Sequence, residues 1–149
     1  MIAVGSDHAA YTFKLEIIKY VEGKGYSCRD FGADNPDASR YPEYAEAVAK
    51  SVVSGESECG LLFCGTGVGM SIAANKVLGA RCVVCTEPFS ALLSKQHNNT
   101  NILALGARVL GTEMAKMIID TWMSGEFQGG RHAERVGLIS EIEMRERGR

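Results

Sequence analysis

Apolar positions along this chain follow two alternating rhythms. Short, nearly continuous apolar runs occupy residues 2–6, 26–31, 60–64, 81–85 and 102–105. Runs of this length, bounded by polar or glycine-rich segments, predict buried strands. Between them the apolar residues spread out: Phe13, Ile17 and Val21 recur every fourth position, and 44–53 is rich in alanine and valine. Pro88 opens a stretch running through Leu92 and Leu93 toward His97, and Leu110, Met114, Ile118 and Trp122 mark another. This spacing predicts helices. Strands without polar alternation, separated by helices, predict an α/β domain whose five-stranded parallel sheet is covered on both faces.

A last segment, 132–147, follows Gly129-Gly130 and places Glu141 with Arg145 and Glu143 with Arg147 at i,i+4 spacing. It predicts a largely solvated, extending helix that can reach a partner subunit. At 149 residues the chain has the length of one domain, and neither an internal repeat nor a linker divides it. A net charge of −2 argues against a general nucleic-acid or membrane-surface binder. No stretch has the length of a membrane span, and the N-terminus lacks the pattern of a signal peptide. Five cysteines without disulfide spacing favour a reducing, cytoplasmic setting. Cys82 and Cys85 form a C-x-x-C pair, but on a strand residues three apart point to opposite faces, so core packing is expected.

In parallel sheets, sites form beyond the carboxyl ends of the strands. Those ends carry Asp7 and His8, a long loop over 32–41, the run CGTGVGMS over 64–71, Thr86 and Glu87, and Gly106 to Arg108. The run over 64–71 is the most pointed. A strand that stops at Cys64 and then needs Gly65, Gly67 and Gly69 predicts a tight turn whose backbone amides converge, with a helix able to begin at Ile72. A thiolate beside those amides is stabilised. The alternative reading is a buried strand-end cysteine. A C-x5-R phosphatase loop and a G-x-G-x-x-G fingerprint both fail at Met70, and no lysine completes a P-loop. His97 falls at a helix end, where it serves either as an acid or base or as a complement to the helix dipole. Arg131 and Arg135 share a helical face and suit a phosphate, or pair with Glu134 instead; Arg108 adds a third cation. The three histidines lack metal-ligand spacing. Thiol, amide cradle, histidine and arginines together suit proton shuttling on a small phosphorylated substrate.

The segments Gly5-Ser6-Asp7-His8-Ala9, CGTGVGMSIAANK (64–76), Glu87-Pro88-Phe89-Ser90-Ala91, QHNNTN (96–101), Gly106-Ala107-Arg108 and GGRHAERV (129–136) resemble, in order along the whole chain, the type B ribose-5-phosphate isomerases. That family also includes galactose-6-phosphate and allose-6-phosphate isomerases. The resemblance implies a Rossmann-like α/β/α sandwich without metal or other cofactor, acting as a homodimer or dimer of dimers with active sites at the subunit interface. It implies Cys64 as the general base between C1 and C2, assisted by Thr66, and enediolate stabilisation by the amides of Gly65, Gly67, Val68 and Gly69. His97 would open the furanose ring, with Asn98 on the sugar. Asp7 would bind a hydroxyl and Tyr41 would line the pocket. His8, Arg108, Arg131 and Arg135 would hold the phosphate, some of the arginines coming from the neighbouring subunit. Two departures stand out: Arg40 replaces the aspartate that many relatives carry before Tyr-Pro, and Met70 occupies the place of another branch's glutamate base. Ribose 5-phosphate/ribulose 5-phosphate isomerisation is the expected reaction. Allose 6-phosphate isomerisation and a non-catalytic nucleotide- or phosphate-binding module are the alternatives.

Overall fold

The computed structural model describes residues 1–37 and 40–148; part of the expected functional loop over 32–41 therefore lies outside the described residues. Five strands, β1 (Ile2–Ser6), β2 (Cys28–Asp30), β3 (Cys59–Cys64), β4 (Cys82–Val84) and β5 (Ile102–Gly106), form one parallel sheet in the order β2-β1-β3-β5-β4. The helices are α1 (Tyr11–Gly23), α2 (Tyr41–Val53), α3 (Val68–Ala74), α4 (Pro88–Asn98), α5 (Thr112–Ser124) and α6 (Arg131–Arg147), with a short 3-10 turn at His8–Ala10. The α/β/α sandwich expected from the sequence is present.

Alternation along the central strands sorts the core into two layers. On one face Ile2, Val4, Leu61, Phe63, Leu103 and Leu105 pack against Ile17 and Val21 of α1, Ala91 of α4, and Ile118, Ile119 and Trp122 of α5. On the other, Ala3, Leu62, Cys64, Ile102 and Ala104 meet Ala45, Val48, Ala49 and Val52 of α2 and Met70 and Ala74 of α3. Each large apolar side chain buried this way contributes roughly 1.5–3 kcal/mol. Connections toward β2 use one face and those toward β4 the other, as right-handed crossovers require.

The expected strands at 26–31 and 81–85 are shorter in the structure, because β2 and β4 are the sheet's outer strands and pair over only three residues each. Helix α3 begins at Val68, four residues earlier than Ile72, because Gly67 takes a left-handed conformation (φ 82°) and starts the helix inside the glycine run. On α6, Arg147 lies 3.9 Å from Glu143, but Arg145 faces Glu146 at 3.9 Å in place of the expected Glu141. Only His132 and Val136 of α6 are buried, while Leu138, Ile139, Ile142 and Met144 are exposed. Its far end returns to its own chain: the Glu143 carboxylate accepts from the Gly79 amide at 3.2 and 3.3 Å, and Arg147 donates to the Lys76 carbonyl at 3.0 Å.

Candidate functional site

β1 and β3 lie side by side where the strand order reverses, and such a switch point leaves a crevice beyond their carboxyl ends. A cavity of about 270 Å³ occupies it, lined by Asp7, Tyr41, Cys64, Gly65, Thr66, Gly69 and Arg108. Three loops build it. Asp7 caps the 3-10 turn, its carboxylate accepting from the Ala10 amide at 3.0 Å, while its own amide donates to Phe63 at 3.0 Å. His8 is exposed at the next position. The loop after β3 is stitched to the turn after β5, with the Ala107 amide donating to the Cys64 carbonyl at 2.8 Å and the Arg108 amide to Gly65 at 3.0 Å. Gly106 allows that approach: a Cβ there would sit 2.8 Å from the backbone of Thr66.

Cys64 is 7% exposed, and its Sγ accepts from the Gly67 amide at 3.0 Å. The Thr66 hydroxyl accepts from the Val68 amide at 3.4 Å. The Tyr41 ring closes over Gly69, where a Cβ would lie 3.0 Å from it. Burial pushes Cys82 up to about 12 and Cys28 and Cys85 up to about 11, and raises Cys59 as well. Cys82 and Cys85 belong to opposite core layers. Among the described residues no group of three His, Cys, Asp or Glu side chains is placed to hold a metal, and no helix is long and apolar enough to cross a membrane.

His97, Asn98, Arg131 and Arg135 are elsewhere. Helix α4 starts beyond the end of β4 and runs back to the start of β5, so its last residues lie at the sheet's opposite edge from Cys64. There the His97 ring stacks on buried His132 with centroids 4.2 Å apart and planes within 4°. Burial, then His97, Arg131 and Arg135, lowers the His132 imidazole from its ordinary value. Arg131 and Arg135 are exposed and, like Arg108, form no ion pair among the described residues; the alternative pairing with Glu134 is not formed. The chain thus carries two separate groups, a thiol with an amide cradle at one edge and a histidine–arginine group at the other. Arg40 is exposed beside the first, paired with Glu43 at 2.9 Å. Glu87, at the end of β4, is used as the cap of α4.

Sequence reasoning places Trp122 on a helix and Thr100 in the QHNNTN segment but does not connect them, or Arg81, with the turn behind His97, which all three shape. The Trp122 Nε1–H donates to the Thr100 hydroxyl at 2.9 Å, Thr100 and Ser94 share a 3.0 Å hydrogen bond, and Lys95 lies 4.1 Å from the Trp122 ring centroid. These contacts join distant segments, and no local pattern announces them.

The family described as Ribose/Galactose Isomerase matches residues 2–139. Ribose-5-phosphate isomerase B of Escherichia coli is 51% identical over 97% of this chain and 97% of its own. D-erythrulose-4-phosphate isomerase of Pectobacterium atrosepticum is 41% identical over 98% of this chain and 97% of its own. The solved ribose-5-phosphate isomerase B of Clostridium thermocellum superimposes with a TM-score of 0.95 at 51% identity, covering 97% of each chain.

Proposed function

The chain belongs to the ribose/galactose isomerase family and is an isomerase, and we propose that it interconverts D-ribose 5-phosphate and D-ribulose 5-phosphate through a cis-enediolate. The observation that carries this reading is Cys64: its sulfur accepts the Gly67 amide at 3.0 Å on the wall of the strand-edge cavity. As thiolate it takes the proton from C2 of the open-chain aldose and returns it to C1, while the hydroxyl proton of O2 passes to O1. Amides of the 65–69 loop, with Thr66, stabilise the oxyanion between the two steps. Asp7 and Tyr41 orient the sugar hydroxyls.

His97 takes the proton of the anomeric hydroxyl as the C1–O4 bond breaks and delivers it to the ring oxygen, with Asn98 on the sugar. Because His97 and Cys64 lie at opposite edges of one chain, a site that uses both takes them from two copies. The working unit is therefore a homodimer or an assembly of dimers, with Arg108 and His8 meeting the other copy's Arg131 and Arg135 around the phosphate. The five free cysteines fit a cytoplasmic location.

The 51% identity to a ribose-5-phosphate isomerase B, against 41% to a D-erythrulose-4-phosphate isomerase, favours the five-carbon substrate. Assays with chelator present, on ribose 5-phosphate, allose 6-phosphate and D-erythrulose 4-phosphate, test it: ribose 5-phosphate is expected to show the highest kcat/KM, and a higher value on either rival overturns the substrate. Cys64→Ala is expected to lose roughly 10²–10⁴-fold in kcat while still binding sugar phosphate. Near-parent turnover in that variant overturns the base.

A further inference from the structure

We propose that Arg81 is a positioning residue for His97, acting through the left-handed turn that ends α4. The inference rests on the ring-opening role of His97 given above. Immediately after His97 and Asn98, Asn99 adopts φ 49°, ψ 46°, and it is the only non-glycine residue with positive φ among those described. A side chain in this region crowds its own backbone, so the turn persists only where surrounding contacts hold it.

The backbone closes the turn from within, the Asn99 amide donating to the Lys95 carbonyl and the Thr100 amide to Ser94, each at 3.2 Å, and Arg81 restrains it from outside the helix. Its Nε–H donates to the Asn99 carbonyl at 2.7 Å, and its backbone amide donates to the Asn101 side chain at 2.8 Å. Asn101 in turn donates to the Gly79 carbonyl at 2.9 Å. Gly79 is the residue whose amide is held by Glu143 of α6. Helix α6 is therefore fastened to the end of α4 twice, by the His132–His97 stack near its start and by the Glu143–Gly79–Arg81–Asn99 chain farther along. Arg81 is half-buried, and among the described residues it forms no ion pair. Its guanidinium is spent on backbone carbonyls at the turn beside His97.

The discriminating measurement separates ring opening from proton transfer. Ribulose 5-phosphate cannot close a furanose ring, because its C5 oxygen carries the phosphate. Entry of solvent deuterium at its C1 requires Cys64 and the enediolate but not His97, whereas net conversion of cyclic ribose 5-phosphate to ribulose 5-phosphate requires both. Arg81→Met is expected to lower net conversion about tenfold and to leave C1 exchange within about twofold of the parent. Adding Asn99→Gly, which takes the left-handed turn without the steric penalty, is expected to restore net conversion. Equal losses in conversion and exchange, no loss in either, or failure of the glycine to rescue overturns the positioning role.

If Arg81→Met does not fold, Arg81→Lys carries the same comparison, since it keeps the cation but removes the Nε–H donor. His97→Asn, measured alongside, tests the reading underneath: equal losses of conversion and exchange in that variant overturn ring opening by His97 itself, whatever Arg81 does.

Discussion

The two edges of the sheet are built from different materials. At the carboxyl edge, the Cys64 loop is held by main chain: Ala107 and Arg108 amides bond the carbonyls of Cys64 and Gly65, and the Gly67 amide bonds the thiol. At the opposite edge, the backbone bonds that end α4, from Asn99 to Lys95 and from Thr100 to Ser94, are supplemented by side chains arriving from three directions. Arg81 and Asn101 come from the β4–β5 side, Thr100 and Trp122 from beneath, and His132 and Glu143 from α6. A main-chain cradle tolerates change in surrounding side chains and fails when a Cβ is added to it. A side-chain frame can instead be adjusted residue by residue. The difference suits the assigned tasks: oxyanion stabilisation needs fixed donors, and a proton-transferring imidazole needs a tuned orientation.

The largest effect separates the edges genetically. On the proposed two-copy site, Cys64→Ala and His97→Asn homodimers are each expected to lack a working site. When the two variants are unfolded and refolded together, a heterodimer whose sites draw Cys64 from one copy and His97 from the other gathers both substitutions into one site and leaves the second intact. Random pairing then yields about a quarter of parent activity, orders of magnitude above either variant alone. If each chain builds its own site, every site keeps one substitution and mixing recovers nothing.

The next effect probes the main-chain edge. Gly106→Ala places a Cβ 2.8 Å from the Thr66 backbone, which has no flexible end to swing away. The loop carrying Cys64 must shift, and kcat is expected to fall about 10²-fold, with roughly 1–3 kcal/mol lost in stability by denaturant unfolding. Gly23→Ala meets nothing within 4 Å at the end of α1 and is expected to leave activity unchanged. A Gly106→Ala enzyme with parent kcat refutes the close-contact account of this edge.

The carboxyl edge was the more legible one in sequence, for the same reason. Consecutive apolar residues at 2–6, 60–64 and 102–105 announce strands buried on both sides, and glycines after Cys64 announce a tight turn, because main-chain demands leave local marks. The start of α3 was displaced since a glycine run conceals where left-handed backbone gives way to helix. Outer strands β2 and β4 were overextended because single apolar residues, Tyr26 and Phe31 around β2 and Cys85 after β4, flank the three paired positions of each. The frame around His97 was illegible: Arg81 bonds Asn99 eighteen positions away and Glu143 reaches Gly79 across sixty-four, and side-chain bonds over such separations leave no periodicity. The direction of α4 was nevertheless implicit, since a helix joining two parallel strands must end at the edge opposite the one where it begins. That alone separates His97 from Cys64 within one chain.

The smallest effect is a pH dependence confined to the side-chain edge. His132 is buried against the ring of His97 from α4, with Arg131 and Arg135 beside it on α6, and burial is the first cause of its lowered imidazole value. The unfolded chain accepts a proton near pH ~6.5, whereas the folded chain resists it until a lower pH. Between those values the unfolded state binds more protons, so stability rises with pH. It is complete above about 6.5 and is lost as pH falls toward the folded value. Thermal unfolding between pH 7 and 5 should therefore show a steeper fall in Tm for the parent than for His132→Gln, which has no charge to gain. Because every other titrating group is shared, the difference between the two curves isolates this imidazole, and coincident slopes would show that the α4–α6 junction accepts a cation at no cost. A real difference would mean that the frame holding His97 loosens in mild acid while the main-chain cradle around Cys64, which contains no such group, stays as it is.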